Sequence, residues 1–271
     1  MRGSRTDLAA EDLPQDGGAL PGVKSQTYDR DGFQVTDVEI LDVHGAELLC
    51  KPIGKYITMD LEAFFQRQED SFVHAAELLC ACLRQLMPLK DGDSVLVAGL
   101  GNPAITPDAV GPETAALTLA TRHLKQQMPE DFSAFRPVSV CQTGVLGTTG
   151  MESSELIHAI CGAVQPSAVV VIDALAARSA EKLCRTVQLT NSGIVPGSGV
   201  GNNRAELSQR VLGVPVTAVG VPTVVDAGGG LIVTPRDIDK YVKDAGKLIA
   251  YGLNLAFHPG MTVSDVDMFV G

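Results

Sequence analysis

The feature that most constrains the fold is an uninterrupted β-branched run, Ala-Val-Val-Val-Ile at residues 168–172, which is followed directly by Asp173. A strand that is apolar on both faces has to be covered on both sides, as happens in sheets that carry helices on each face. Two shorter predicted strands, at 94–98 and 138–141, alternate with segments of helical apolar spacing such as 152–164. The sequence therefore predicts an α/β domain with a mostly parallel sheet flanked by helices.

The first 60 residues follow a different pattern. Residues 1 to about 30 show no periodicity and predict an extended, mobile arm, whereas residues 33–40 alternate apolar and polar and predict a half-buried strand. A second strand at 55–59 is expected to pair with it, which gives an N-terminal β extension. The remaining predictions are helices at 61–87, 112–127 and 234–255, a helix from about 176, and strands at 187–189 and 214–219.

Composition excludes several classes of protein. The 271 residues include 21 Lys and Arg against 32 Asp and Glu, a net charge of −11, which argues against direct nucleic-acid binding. No apolar run approaches the ~18 residues of a membrane span, and no apolar signal follows Met1. Six cysteines in a chain of this length do not form a small disulfide scaffold, so we expect reduced thiols and a cytoplasmic location.

Two predicted strand ends carry an aspartate. Asp108 lies in a proline-stiffened loop that follows Gly99-Leu100-Gly101, and Asp173 follows the buried run. Either carboxylate alone could be a helix N-cap. Because ligands bind beyond the carboxyl ends of parallel strands, the two together are expected to meet at one edge of the sheet. Neighbouring carboxylates share a proton and can activate water, so the pair is a candidate catalytic dyad.

Other motifs are weaker. The turn at 99–104 lacks the third glycine of G-x-G-x-x-G, so it does not indicate a nucleotide site. The glycine-rich loop 192–204 is either a flexible surface loop or a substrate clamp that offers backbone N–H groups and Arg204. Ser198 lies in Gly-Ser-Gly rather than G-x-S-x-G, which argues against a serine hydrolase. The five histidines form no metal-binding spacing, so neither a metal nor another cofactor is predicted.

Taken in order along the chain, several longer motifs resemble the germination proteases of spore-forming bacteria. The likeness extends from residue 5 to the Val233-Thr234-Pro235 helix start. The motifs are Arg5-Thr6-Asp7-Leu8-Ala9, Gly99-Leu100-Gly101-Asn102 with Thr106-Pro107-Asp108-Ala109, Phe135-Arg136-Pro137-Val138, Ile172-Asp173-Ala174-Leu175-Ala176-Ala177-Arg178-Ser179, Ser192-Gly193-Ile194 with Pro196-Gly197-Ser198-Gly199-Val200-Gly201-Asn202, and Pro222-Thr223-Val224-Val225-Asp226-Ala227.

The resemblance implies an atypical aspartic endopeptidase with a phosphorylase/hydrolase-like α/β fold, similar to that of hydrogenase maturation peptidases. It implies a homotetramer in the spore core that is made as an inactive precursor and degrades small acid-soluble spore proteins during germination. The catalytic aspartates of the family map onto Asp108 and Asp173, with no metal. Residues 1–7 would be the propeptide and 8–271 a single peptidase domain. The chain differs from the family at Gly228–Gly230, a short join where members usually carry a longer segment.

Two further expectations concern specificity. Substrates of the family are cut after an acidic residue, so Arg178 and Arg204 are candidates to bind that carboxylate, the alternative being surface ion pairs. The arm repeats the substrate order of acid, large apolar residue and alanine, so the chain is expected to cut itself between Asp7 and Leu8. The alternative is an unprocessed disordered tail.

Two other functions are compatible with the same residues. One is a metal-dependent maturation peptidase of the same fold, in which the two aspartates are ligands. The other is a non-catalytic binding module, in which Asp108 and Asp173 are only helix caps.

Overall fold

The computed structural model describes residues 6–14, 17–66, 70–201 and 204–270. Within these ranges the strands are β1 Val23–Arg30, β2 Phe33–Ile40, β3 Gly54–Asp60, β4 Val95–Leu100, β5 Val138–Gly144, β6 Ala168–Ala177, β7 Thr186–Thr190, β8 Val216–Gly228 and β9 Leu231–Val233. The helices are α1 Val43–Leu49, α2 Glu62–Phe65, α3 Ser71–Leu86, α4 Val110–Ala116, α5 Arg122–Gln127, α6 Leu146–Thr149, α7 Ser153–Val164, α8 Gln209–Leu212, α9 Ile238–Phe257 and α10 Val263–Val270.

All described strands belong to one sheet in the order β1-β2-β3-β7-β8-β6-β4-β5, with β9 paired to β8. The half formed by β8, β6, β4 and β5 is parallel, whereas β1, β2, β3 and β7 pair antiparallel and continue the sheet to the other side. The predicted α/β class and the pairing of β2 with β3 are therefore confirmed. The complete sheet is mixed, because the N-terminal extension joins the parallel half through β7.

The two faces of the sheet are covered differently. Alternate residues of β4 separate the faces: Val95 and Val97 pack with α3 and α9, whereas Leu96 and Ala98 pack with Ile157 of α7. The α3–α9 face carries the largest apolar core and extends under β3 and β7. On the other face α7 covers only the parallel half. The N-terminal segment and α1 cover the antiparallel half there.

Several predicted boundaries were wrong for identifiable reasons. The segment predicted as an arm contains β1, whose backbone pairs along its whole length with β2. The predicted helix 61–87 is interrupted because Asp70 has a φ of +58°, outside the helical range, so α3 starts at Ser71. The predicted helix 112–127 divides into α4 and α5 because the backbone N–H of Thr121 donates to Val138 of β5.

The helix expected from residue 176 is also wrong, and this error bears on the site. Strand β6 continues to Ala177 because Ala176 and Ala177 pair with Val224 and Val225 of β8 beyond a bulge. Alanine favours helices in isolation, but tertiary pairing overrides that preference here. Asp173 consequently lies within a long strand rather than at a strand-to-helix junction.

The structure bears only in part on two further predictions, the absence of a membrane span and the propeptide at residues 1–7. No helix in the described ranges is both long and apolar enough to cross a membrane. Residues 1–5 of the predicted propeptide lie outside the described residues, whereas Thr6 and Asp7 lie inside them.

Candidate active site

Asp173 lies where β6 extends past its neighbour β4. The last residue of β6 that pairs with β4 is Ile172, opposite Gly99. Asp173 is 6% exposed, and its Oδ1 accepts a hydrogen bond of 2.9 Å from the N–H of Ala174. A nearly buried carboxyl group with a single hydrogen bond from the described protein is poorly solvated as an anion. It is therefore suited to hold a proton.

Asp108 is carried by the loop after β4. Its Oδ2 accepts a hydrogen bond of 2.8 Å from the N–H of Asn102, which closes the loop on itself. Gly101 allows this turn: it has a φ of +109°, and a Cβ atom there would lie 1.9 Å from the carbonyl oxygen of Asp108. The loop is also held to β8 by the Thr223 hydroxyl, which donates to the Pro107 carbonyl.

The two aspartates influence each other electrostatically. Burial raises the pKa of Asp173 to about 8, and the negative charge of Asp108 contributes in the same direction. Burial also raises the pKa of Asp108, opposed by the Asn102 N–H and by the positive charge of Arg204. The structure thus brings Asp108, Asp173 and Arg204 into one electrostatic cluster, in which Asp173 keeps its proton at neutral pH and Asp108 is the group that ionises more readily.

The N-terminal segment Thr6–Asp12, called the arm below, lies on the end of β6, and the charge of its Asp7 acts on Asp173. Its backbone pairs with the end of β6, where the N–H of Asp7 donates to the carbonyl of Ala176 at 2.9 Å. The Nζ of Lys51 holds both ends of the arm, donating to the Thr6 carbonyl at 3.1 Å and to the Asp12 carboxylate at 2.7 Å. The arm is extended at Leu8, where φ is −81° and ψ is 120°, and it turns into a short 3-10 helix at Ala9–Asp12.

The Asp7 carboxylate has a fitted pocket. Its Oδ2 accepts from the N–H of Ala176 at 2.8 Å, and its Oδ1 accepts from the Ser198 hydroxyl at 2.8 Å. Gly199 closes the pocket, since a Cβ atom there would lie 2.3 Å from Asp7 Oδ2. The charge of Asp7 also contributes to raising the pKa of Asp173. Ser198 is thus part of this site as a hydrogen-bond donor.

The two residues after Asp7 are buried in separate apolar pockets. Leu8 is 1% exposed and packs in a cluster with Leu175, Ala177, Leu183 and Val225. Ala9 is fully buried in a second cluster that includes Val38, Ile40, Leu49 and Tyr56. The first pocket suits a large apolar side chain and the second a small one.

A glutamine of the central sheet contacts the Asp7–Leu8 peptide. Gln188 Nε2 donates to the Asp7 carbonyl oxygen at 2.8 Å, and its Oε1 accepts from the N–H of Ala9 at 2.7 Å. Gln188 of β7 pairs with Gly220 of β8, and Gly220 pairs with Asp173 of β6. Gln188 and Asp173 therefore lie abreast on the same face, two strand spacings (~10 Å) apart at their Cα atoms.

The two arginines predicted to bind the acidic substrate residue lie in different parts of the site. Arg204 contributes to the electrostatic cluster, lowering the pKa of both aspartates. Arg178 binds the far end of the arm, where its guanidinium donates to the Glu11 carbonyl at 2.7 Å and pairs with the Asp12 carboxylate. Glu11 itself accepts from the backbone N–H groups of Arg178 and Ser179 at 2.7 and 2.9 Å.

Sequence reasoning missed Lys51 and Gln188 and assigned Ser198 no role. Lys51 follows a short helix and carries no motif. Gln188 did leave a signal, because the strand Thr-Val-Gln-Leu-Thr is buried along its whole length yet every second residue is polar. A buried strand with a polar face needs polar partners, and the arm provides them for Gln188, whereas Thr190 bonds to Ser192.

A cavity of about 680 Å³ opens beside the arm. It is lined by Thr6, Asp7, Tyr56, Ser192, Ile194 and Glu206, among others. In the described ranges, no group of three or more His, Cys, Asp or Glu side chains is placed to hold a metal ion.

Comparison with known proteins gives a consistent result. The family model for germination protease matches residues 5–230. The chain is 35% identical over 319 residues to a germination protease of Clostridium tetani, covering 98% of this chain and 99% of the relative. It is 41% identical over 257 residues to that of Bacillus licheniformis, covering 90% of this chain and 68% of the relative.

Solved structures include a distant match. A [NiFe] hydrogenase maturation protease, HycI from Thermococcus kodakarensis, matches 64% of this chain and 98% of its own, at 18% identity and a TM-score of 0.39, which is too low to support a conclusion. The family assignment rests on the sequence relatives and on the family model. The chain belongs to the germination protease family and is a peptidase.

Proposed function

We propose that this peptidase is made as a precursor that cuts its own chain between Asp7 and Leu8, and that it then cuts small acid-soluble spore proteins at sites of the same order. The observation that supports this best is the way in which the side chains of the arm are bound. An acidic, a large apolar and a small residue occupy three successive pockets, and the charge of Asp7 acts on Asp173.

The mechanism we propose uses the two aspartates in different protonation states. Ionised Asp108 takes a proton from a water molecule as the water oxygen bonds to the Asp7 carbonyl carbon. Protonated Asp173 gives its proton to the carbonyl oxygen. When the tetrahedral intermediate collapses, the C–N bond breaks, the proton on Asp108 passes to the Leu8 nitrogen, and the new hydroxyl returns a proton to Asp173.

The finer assignments follow from the same site. In substrates, Arg178 is proposed to face acidic residues after the cut, as it faces Asp12 in the arm. Arg204 is proposed to lie near the acidic residue before the cut. We further propose that the peptidase acts as a homotetramer in the cytoplasm of the spore core.

Intact mass measurement tests the proposed cleavage. The purified full chain, incubated under mildly acidic, dehydrating conditions, is expected to lose residues 1–7 and to gain Leu8 as its N-terminus. Prior dialysis against a strong chelator should leave the rate unchanged, because the proposed chemistry uses two carboxyl groups and water. Loss of cleavage that returns on addition of a divalent metal would favour the metal-dependent alternative. A full-length mass in a sample that cuts spore-protein peptides would contradict self-processing.

The pH dependence of self-cleavage should be bell-shaped. The rate is expected to rise as Asp108 ionises and to fall as pH increases through about 8, where Asp173 loses the proton that it donates. Single-turnover rates between pH 4 and 10, followed by mass, test this expectation. A rate that still increases above pH 9 would contradict the assignment of Asp173 as the acid.

A further inference from the structure

We propose that Gln188 is a catalytic residue, which donates a hydrogen bond to the scissile carbonyl oxygen and stabilises the negative charge that develops there. This inference rests on the proposed function, since it takes Asp7–Leu8 as the bond that is cut. It adds a third catalytic group to Asp108 and Asp173. This group lies on β7, which carries neither aspartate.

The contact geometry supports this role. Gln188 Nε2 lies 2.8 Å from the Asp7 carbonyl oxygen, within the range of donors that stabilise an oxyanion. The side chain cannot rotate freely, because its Oε1 is held by the N–H of Ala9 at 2.7 Å. The same amide therefore forms hydrogen bonds to the Asp7 carbonyl and to the Ala9 N–H, one on each side of Leu8. These two bonds fix the Asp7–Leu8 peptide relative to the Nε2 donor.

The sheet register explains how Gln188 reaches the site. Gln188, Gly220 and Asp173 are direct neighbours on β7, β8 and β6 and project from the same face. The central position is glycine, and a Cβ atom there would lie 2.5 Å from the Leu175 side chain. The absence of a side chain at 220 makes room for Leu175, whose side chain packs over this position and lines the pocket of Leu8.

Burial makes the donor effective. Gln188 is 5% exposed and forms part of the wall of the cavity beside the arm, so its amide is shielded from bulk solvent. A neutral amide is also compatible with the neighbouring charges: it brings no positive charge that would lower the pKa of Asp173, whose proton the mechanism requires. A lysine or arginine at this position would stabilise the oxyanion at the expense of the protonated acid.

The test is self-cleavage of full-length variants, followed by mass in a single turnover. Gln188→Met keeps the shape of the side chain without a donor, and Gln188→Asn keeps the amide but is one methylene too short to reach. Each is expected to cut at least ~100-fold more slowly than the native chain. Gln34→Met, at an exposed glutamine of β2, is the matched control and should cut at the native rate.

Hydrogen exchange of the peptide covering residues 6–13, measured before cleavage begins, separates catalysis from positioning. We expect the arm to stay seated in most molecules of both variants, because Lys51 and the Asp7 pocket still hold it. Rates within ~3-fold of native, or a loss of rate no greater than the loss of arm protection, would overturn the inference. If the native chain does not cut after Asp7, the proposed function fails, whatever the Gln188 variants do.

Discussion

Replacing Asp173 by asparagine is expected to abolish cleavage after Asp7 and, in the same variant, to stabilise the fold. The first effect follows because asparagine cannot supply the proton that the scissile carbonyl receives. The second follows because Asp173 is a buried carboxyl group whose charged form is disfavoured by desolvation and by Asp108. An uncharged side chain of the same shape avoids that cost.

The sign of the pH effect can be worked out from the pKa. The pKa of Asp173 is raised from an ordinary value of about 4 to about 8 in the folded chain. Between these values the folded chain holds a proton that the unfolded chain releases, so native stability from this group is fully present below pH 4 and decreases as pH rises to about 8. The Asp173→Asn variant lacks this dependence. Its advantage should be near zero at pH 4 and greatest above pH 8.

The expected gain is ~2–4 kcal/mol at pH 8, or ~5–10 °C in Tm. Calorimetry at pH 4, 6 and 8 on chains that mass measurement shows to be uncut would test it. Asp131→Asn, at an exposed loop position, is the matched control and should change neither cleavage nor stability. Loss of cleavage with a lower Tm at every pH would instead indicate that the Asp173 carboxylate is a structural hydrogen-bond acceptor.

The sequence predicts candidate site residues best where one strand and the loop after it determine the position of the side chain. Asp173 was identifiable because a strand as apolar as 168–172 cannot end in a carboxylate without a reason. Asp108 was identifiable because glycines and prolines fix the loop after β4. Their approach to one another followed from the rule that parallel strands end at a common edge, and the electrostatic coupling in the structure agrees with that expectation.

The remaining parts of the site depend on contacts between distant segments. The position of Gln188 depends on how β7 is aligned with β8 and β8 with β6. No local sequence pattern encodes these two alignments. Lys51 matters only because the arm passes over it. The prediction of a helix after Asp173 failed for a similar reason, because pairing with β8 outweighs the helical preference of the alanines.

Gly199→Ala is expected to slow self-cleavage by at least ~100-fold, because the new methyl group would occupy the Asp7 pocket. An added Cβ atom would lie 2.3 Å from Asp7 Oδ2 and 2.7 Å from the Ala176 side chain. Ala176 is fixed in β6 by its pairing with Val224, so Asp7 or the glycine-rich loop must move. A shift of about 1 Å at the scissile peptide is enough to cost ~100-fold in rate.

The backbone at this position makes the experiment specific. Gly199 does not have a positive φ, so alanine adds volume without backbone strain. Gly162→Ala, within α7 and with no atom within 4 Å of an added Cβ, is the matched control and should cut at the native rate with equal or higher Tm. Cleavage rates and hydrogen exchange of the arm would be measured on both variants. A Gly199→Ala chain that cuts at the native rate with its arm protected would show that the Asp7 carboxylate is not bound against Gly199 in the reactive state, and the proposed recognition of the acidic residue would then be wrong.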